Sequence, residues 1–276
     1  MDYLKYYNRE HLSLDALTNG AMEYVFHTIN LLHDAFYLLG FDENSRNMQK
    51  YNFGKKGEEN DRVVVIVDTE CDKDEDDPET VVAAMTTYRD GLSPYLLICG
   101  NYDSNGRVYL DAAFSTGILA HEYTHAVLSR ISGIKFNDIT DENKGMEDSL
   151  NEGFADFFAE ALHYKPGMDR YTKYEIPYAV RDYPITSDMN ENPLKYSHYI
   201  YSGIDYLDFD PHKFGQIWAS MLHEVLWEVI EAFDKKNNNN YSIWDVVYQD
   251  IPREKRPYYV ILVSTYFKLI LQNNKF

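Results

Sequence analysis

His121-Glu122-Tyr123-Thr124-His125 constrains this chain more than any other stretch of it. The five residues sit inside an apolar run, with Ile118 and Leu119 before them and Ala126, Val127 and Leu128 after, so the segment reads as a buried helix. Residues four apart on a helix share a face, which lets both imidazoles reach one metal ion. Glu122, turned roughly 100° from His121, flanks that point without ligating and is placed to hold a water. A pattern this short also arises by chance, and two buried histidines bonded to backbone carbonyls would look the same. Confirmation has to come from a third ligand.

Leu150-Asn151-Glu152-Gly153-Phe154-Ala155-Asp156 supplies one, with Glu152 standing 27 positions after His125. A catalytic zinc keeps three protein ligands and one open position, and two histidines with a glutamate form one such set. The spacing predicts a helix from about Met146 to His163, on which Glu152 and Asp156 lie four apart beside the small Ala155 and Ala159. Both carboxylates then face the same way. Asp156 is placed to accept a hydrogen bond from the second nitrogen of a ligand histidine, which fixes the ring. A solvated acidic helix face is the competing reading of the pair.

The rest of the chain reads as mixed structure. Met22, Val25, Phe26, Ile29, Leu32, Phe36 and Leu39 recur at helical intervals and stop at Gly40, which predicts an amphipathic helix. Val63–Val67 and Tyr95–Cys99 read as strands, and Arg107–Leu110 follows Asn105-Gly106, a hairpin turn signal. Helical patterns return over Thr116–Gly133, Lys213–Phe233 and Tyr258–Gln272, so the second half is mostly helix. The acidic stretch Asp68–Glu79 reads first as a solvated loop and second as a calcium site, and Asp141–Glu147, which alternates oxygen side chains and has a glycine, is the better calcium candidate, although neither has an EF-hand pattern.

Charge and composition remove several function classes. Against 45 acidic residues stand 26 lysines and arginines, and the resulting net charge of −19 repels phosphate backbones, which argues against a nucleic-acid partner. The longest mainly apolar stretch, Tyr258–Phe267, falls short of the ~20 residues that a membrane span needs. Cys71 and Cys99 have no CxxC spacing and leave the redox compartment open. Met1–Tyr7 has neither the basic segment nor the apolar run of a signal peptide, so if the protein is exported its signal lies outside this chain.

The wording HEYTHAV followed by NEGFAD resembles the gluzincin, or thermolysin-like, zinc metallopeptidases, and is closer to their fungalysin branch. Arg181-Asp182-Tyr183-Pro184 with Asn192-Pro193-Leu194-Lys195-Tyr196, and His212-Lys213-Phe214-Gly215-Gln216-Ile217-Trp218-Ala219, are similar to later fungalysin segments. So is the helix around Ile29–Tyr37. The resemblance implies His121, His125 and Glu152 as zinc ligands, Glu122 as general base, His212 as donor to the transition-state oxyanion, and Arg181 as a clamp on a substrate carbonyl. The family's substrate-binding edge strand carries an Asn-Ala pair that aligns best with Val82-Ala83, so Ala83 is the substrate-binding candidate there and the asparagine side chain is lost. The auxiliary transition-state tyrosine has no clear counterpart, and Phe136 lies near its expected place.

The resemblance implies an α+β fold in two lobes. Residues 1–133 would form an N-terminal lobe with a twisted sheet and the active-site helix, and residues 134–276 a mainly helical lobe carrying the third ligand and His212, with the cleft between them. It implies a secreted zinc endopeptidase that acts on peptides or proteins and favours a bulky apolar residue after the cut, with a propeptide outside this chain. The alternatives are a non-catalytic zinc-bearing binding protein of the same fold and a zinc aminopeptidase. The other histidines, His27, His33 and His163, read as packed or solvent-facing, and Trp227 stands where a second HExxH at His223-Glu224 would need its second histidine.

Overall fold

A computed structural model describes residues 14–68, 83–102, 108–109, 111–132, 144–174, 181–201, 210–249 and 251–272. Most of the acidic stretch Asp68–Glu79, the residues Val82, Phe136, Ala179 and Val180, and the Asn105-Gly106 turn lie outside the described residues. So do Asp141, Glu142 and Asn143, whereas Lys144–Glu147 belong to a helix rather than to a loop.

Helix α1 runs over Leu14–Leu39 and starts well before Met22. Its buried face is built from Leu17, Ala21, Val25, Ile29, Leu32, Ala35, Phe36 and Leu39. Met22 and Phe26, read from the sequence as part of that stripe, are instead 47% and 73% exposed, because at 3.6 residues per turn they fall on the flank of the stripe. The helix ends at Gly40, whose φ of +119° suits a residue without a Cβ. There Phe41 N–H donates to Phe36 C=O (2.9 Å) and Gly40 N–H to Tyr37 C=O (3.1 Å), while Phe41 is buried. This is the Schellman ending, which satisfies carbonyls that the last turn would leave open.

Strands β1 (Val64–Asp68), β2 (Ala83–Thr86) and β3 (Tyr95–Cys99) form a sheet in the order β1-β3-β2. β3 pairs parallel with β1 (Val64 opposite Tyr95) and antiparallel with β2 (Ala83 opposite Ile98), which leaves β2 at an edge of the sheet among the described residues. Leu96 and Ile98 alternate into the core, as a half-buried strand requires. A short antiparallel pair, β4 (Asn101–Tyr102) and β5 (Val108–Tyr109), follows.

The helices are α2 (Thr116–Ser132), α3 (Lys144–His163), α4 (Tyr196–Tyr201), α5 (Pro211–Val229), α6 (Ile243–Tyr248) and α7 (Tyr258–Gln272). α2 is buried nearly all round, as expected for a helix without a polar face. It packs on α1, on β2 and on α3, and α3 packs in turn along α5. Phe36 of α1, Tyr123 of α2 and Phe158 of α3 meet in the middle, with ring centroids 5.4 Å (Phe36–Tyr123) and 5.7 Å (Phe36–Phe158) apart. Each such side chain contributes about 1.5–3 kcal/mol by leaving water. This cluster therefore locks α2 against α3, the two helices that carry the HExxH and NEGFAD segments. No helix among the described residues is long and apolar enough to cross a membrane.

Candidate active site

Four residues apart on α2, His121 and His125 point the same way, with ring centroids 4.5 Å apart and ring planes at 89°. Their Nε2 atoms stand 2.9 Å from each other. From α3, Glu152 brings Oε2 to 3.3 Å from His121 Nε2 and Oε1 to 3.5 Å from His125 Nε2. Tetrahedral zinc with bonds of about 2.0–2.1 Å needs donor atoms roughly 3.3 Å apart. The three donors therefore fit a zinc ion in spacing and in chemistry, two imidazoles and one carboxylate. No other group of three His, Cys, Asp or Glu side chains among the described residues is placed to hold a metal.

Asp156, one turn after Glu152, is fully buried, with Oδ1 2.8 Å from His121 Nδ1, although the two atoms do not align as a linear hydrogen bond. Arg181 donates from Nε to Asp156 Oδ2 (2.7 Å) and from Nη2 to both Asp156 Oδ1 (2.9 Å) and Glu152 Oε2 (3.0 Å). The guanidinium is thereby fixed beside the ligand set.

The electrostatics follow from these contacts. Burial opposes a charge on His121, but Asp156 and Glu152 override it and push its pKa up to about 10. Burial likewise works against the Glu152 carboxylate, yet His125, His121 and His212 hold its pKa well below the usual range. For Asp156 burial is outweighed by Arg181 and His121, and the shift is downward. The carboxylates stay ionised, and they favour a cation where the three donors meet.

His212 reaches the same point from α5. Asp210 caps that helix by accepting from His212 N–H (2.9 Å), Pro211 fills the first helical position, and Asp210 Oδ1 also lies 3.2 Å from His212 Nδ1. The other ring nitrogen, Nε2, is 3.6 Å from Glu152 Oε2.

A cleft of about 270 Å³ opens over this group. His121, Glu122, His125, Asn151, Glu152 and His212 line one side, and Ala83, Ala84, Met85, Thr86 and Thr87 of β2 and its continuation line the other. Six of the eight candidate residues, Ala83, His121, Glu122, His125, Glu152 and His212, line this cleft, and the other two, Asp156 and Arg181, contact its ligand residues. Sequence reasoning missed Asp210, whose signal was an Asp-Pro just before an apolar helical run, the usual helix-start pattern. It also missed β2 as a strand by pattern, because Ala83, Ala84, Met85 and Thr86 show no alternation; only the resemblance pointed there.

The fold joins a small sheet to a helix bearing HExxH and a second helix bearing Glu152, and two imidazoles with one carboxylate are a donor set of the kind that holds zinc. The chain belongs to the fungalysin metallopeptidase family, whose model matches residues 2–256. It is similar to extracellular metalloproteinase 1 of Trichophyton equinum, 32% identical over 230 residues, which cover 79% of this chain and 34% of that protein. Extracellular metalloproteinase 1 of Trichophyton rubrum is 33% identical over 224 residues, covering 77% of this chain and 32% of that protein. Extracellular metalloproteinase mep of Aspergillus terreus is 31% identical over 253 residues, or 88% of this chain and 37% of that protein. The chain therefore spans about a third of the length of these curated relatives.

Proposed function

We propose that this chain is a zinc endopeptidase, with His121, His125 and Glu152 holding the metal. The observation that carries the proposal is the meeting of three donor groups, with the two imidazole Nε2 atoms 2.9 Å apart and the two Glu152 oxygens 3.3 Å from one and 3.5 Å from the other, in a cleft that Glu122 also lines. Zinc supplies, when bound, a lowered pKa for water near ~7 and polarisation of a carbonyl. Glu122 takes the proton of the attacking water and hands it to the leaving amine. His212 donates from Nε2 to the oxyanion that develops on the carbonyl, with Asp210 holding the opposite ring nitrogen.

Asp156 orients His121 and holds Arg181, which we assign to a substrate carbonyl. Ala83 belongs to the edge strand along which an extended peptide pairs by its main chain, a mode that survives the loss of the family's asparagine because it relies on backbone groups. The preference for a bulky apolar residue after the cut, a propeptide, and a cleft lying between lobes of residues 1–133 and 134–276 are carried from the family. The stretches Asp68–Glu79 and Asp141–Glu147 are the calcium candidates. Export fits both the extracellular relatives and the disulfide at Cys99, a bond that persists in oxidising compartments.

Elemental analysis combined with a mass-spectrometric map of cuts in an unfolded protein, with and without a chelator, tests the proposal. One zinc per chain and chelator-sensitive cuts are expected. A zinc-loaded protein that cleaves nothing, with or without calcium, would overturn it in favour of a binding scaffold.

A further inference from the structure

Arg130 lies near the end of α2, five positions beyond His125, and is only 3% exposed. Its guanidinium is committed on every side. Nε donates to Tyr88 C=O (2.8 Å) and Nη2 to Leu92 C=O (2.6 Å). Nη1 donates to Asp61 Oδ2 (2.6 Å), Asp90 Oδ1 (3.2 Å) and Arg46 C=O (3.3 Å). Three of these five acceptors, on Tyr88, Asp90 and Leu92, lie in the connection that leaves β2 and returns as β3.

The connection is held from behind as well. Asp61, fully buried, also accepts from Gly91 N–H (3.2 Å) and Gln49 N–H (3.1 Å), and Asp90 Oδ2 accepts from Glu58 N–H (3.1 Å). Gly91 sits at φ +83°, which strains any residue with a Cβ, and a Cβ there would stand 3.0 Å from Glu58 Cβ, a tight approach of the loop to its neighbour. A buried arginine kept only for charge balance would need a carboxylate or two. This one spends its planar fork on the two carbonyls of Tyr88 and Leu92, a span that the single ammonium of a lysine cannot cover.

β2 has four residues and, among the described residues, one strand partner, β3, so the distance from its other edge to the metal ligands is weakly set by the sheet itself. The same rigid helix carries both His121 and His125 and, roughly 7–8 Å further along its axis, the anchor of the β2–β3 connection. We propose that Arg130 is a positioning residue that sets the gap between the metal-site helix and edge strand β2, and with it the binding of extended peptides. This rests on the reading of β2 as the substrate strand.

Arg130→Lys and Asp90→Asn test it. Three quantities are read: zinc per chain, kcat and KM on a long peptide that runs along the strand and on a short blocked peptide that does not, and amide hydrogen exchange by segment. Arg130→Lys is expected to keep its zinc, to stay within about threefold of the parent on the short peptide, and to raise KM on the long one roughly tenfold. Exchange should accelerate over residues 83–92 while α3 and α5 stay protected as in the parent. Asp90→Asn should shift the same quantities less, and it carries the test if Arg130→Lys does not fold. An unchanged KM on the long peptide, or exchange rising equally in α3 and α5, would show a merely structural arginine and overturn the proposal. A parent that cuts neither peptide would defeat the peptidase reading alone, and the exchange pattern would still decide the role of Arg130.

Discussion

Gly153 and Gly215 face each other where α3 crosses α5, and neither position has space for a methyl group. A Cβ on Gly153 would lie 2.6 Å from Gly215 C=O, and one on Gly215 would lie 2.7 Å from Glu152 Cβ and 2.9 Å from Gly153 N. The helices therefore touch backbone to backbone right beside Glu152, and His212, one turn before Gly215, is carried over the ligand set. Gly215→Ala is expected to push the helices apart, with a cost of about 1–3 kcal/mol from overpacking. A thermal melt would show it, and activity should fall because His212 withdraws from Glu152. A variant with the parent's melting temperature and rate would mean that the crossing adjusts freely.

Glu122→Gln separates chemistry from structure. The amide is nearly isosteric, and Glu122 is not among the three ligating residues, so zinc content and melting temperature should equal the parent's. Hydrolysis should fall by roughly 10²–10⁴-fold, the range for losing a positioned general base. Equal rates for the two proteins would remove Glu122 from the mechanism.

For the ligand set, Glu152→Ala should strip the zinc, because two histidines leave a catalytic zinc one protein ligand short. Asp156→Asn should retain the site but weaken metal affinity by roughly 10–100-fold, since it loosens both the His121 ring and Arg181. Competition with a chromogenic chelator measures both. Full zinc retention in Glu152→Ala would show that another carboxylate ligates.

His212→Ala is expected to lower kcat and kcat/KM together by roughly 10²–10³-fold, as for removal of a donor aimed at developing charge. Arg181→Ala should in addition raise KM. Steady-state kinetics on one peptide separates the two patterns, and a fully active His212→Ala would show that the oxyanion donor lies elsewhere.

His223 is one of the histidines that sequence reasoning set aside, and it proves to be a buried pin between α5 and α3. Its Nδ1 lies 2.5 Å from Glu160 Oε1, and its Nε2 lies 3.2 Å from both Arg170 C=O and Ser187 Oγ. The Glu160 carboxylate and the Arg170 carbonyl both accept, so these partners favour the imidazolium, which donates from both ring nitrogens. Burial lowers its pKa, but Glu160 and the Arg170 carbonyl outweigh that and the net shift is upward. A pKa raised in the folded state stabilises fully below the unfolded value of about 6.5 and loses that contribution as pH climbs through the folded value. The stability gap between the parent and His223→Gln should accordingly be widest near pH 6 and should narrow at alkaline pH. Denaturant titrations across that range check it, and a gap that widens with pH would mean a neutral ring.

The features that the sequence alone determined are those set within a few residues by backbone geometry. The four-residue spacing placed His121 with His125 and Glu152 with Asp156 on common helix faces, and the apolar period together with Gly40 marked where α1 ends. Local periodicity erred at Met22 and Phe26, where a stripe shades into a flank, and at β2, which shows no alternation. Everything that joins distant segments was decided by packing. Whether Glu152 meets the two imidazoles depends on how α3 lies across α2, which the aromatic contacts of Phe36 with Tyr123 and Phe158 fix. His212 reaches Glu152 through the bare crossing at Gly153 and Gly215, and Arg181 is oriented by carboxylates that precede it by 25 and 29 residues. The clamp at Arg130 reaches back 69 residues to Asp61 and 38 to Leu92, and neither partner has any periodic relation to it. Side-chain periodicity repeats along one element, whereas these contacts come from the closure of loops around a shared core, and only the folded chain specifies which faces then meet.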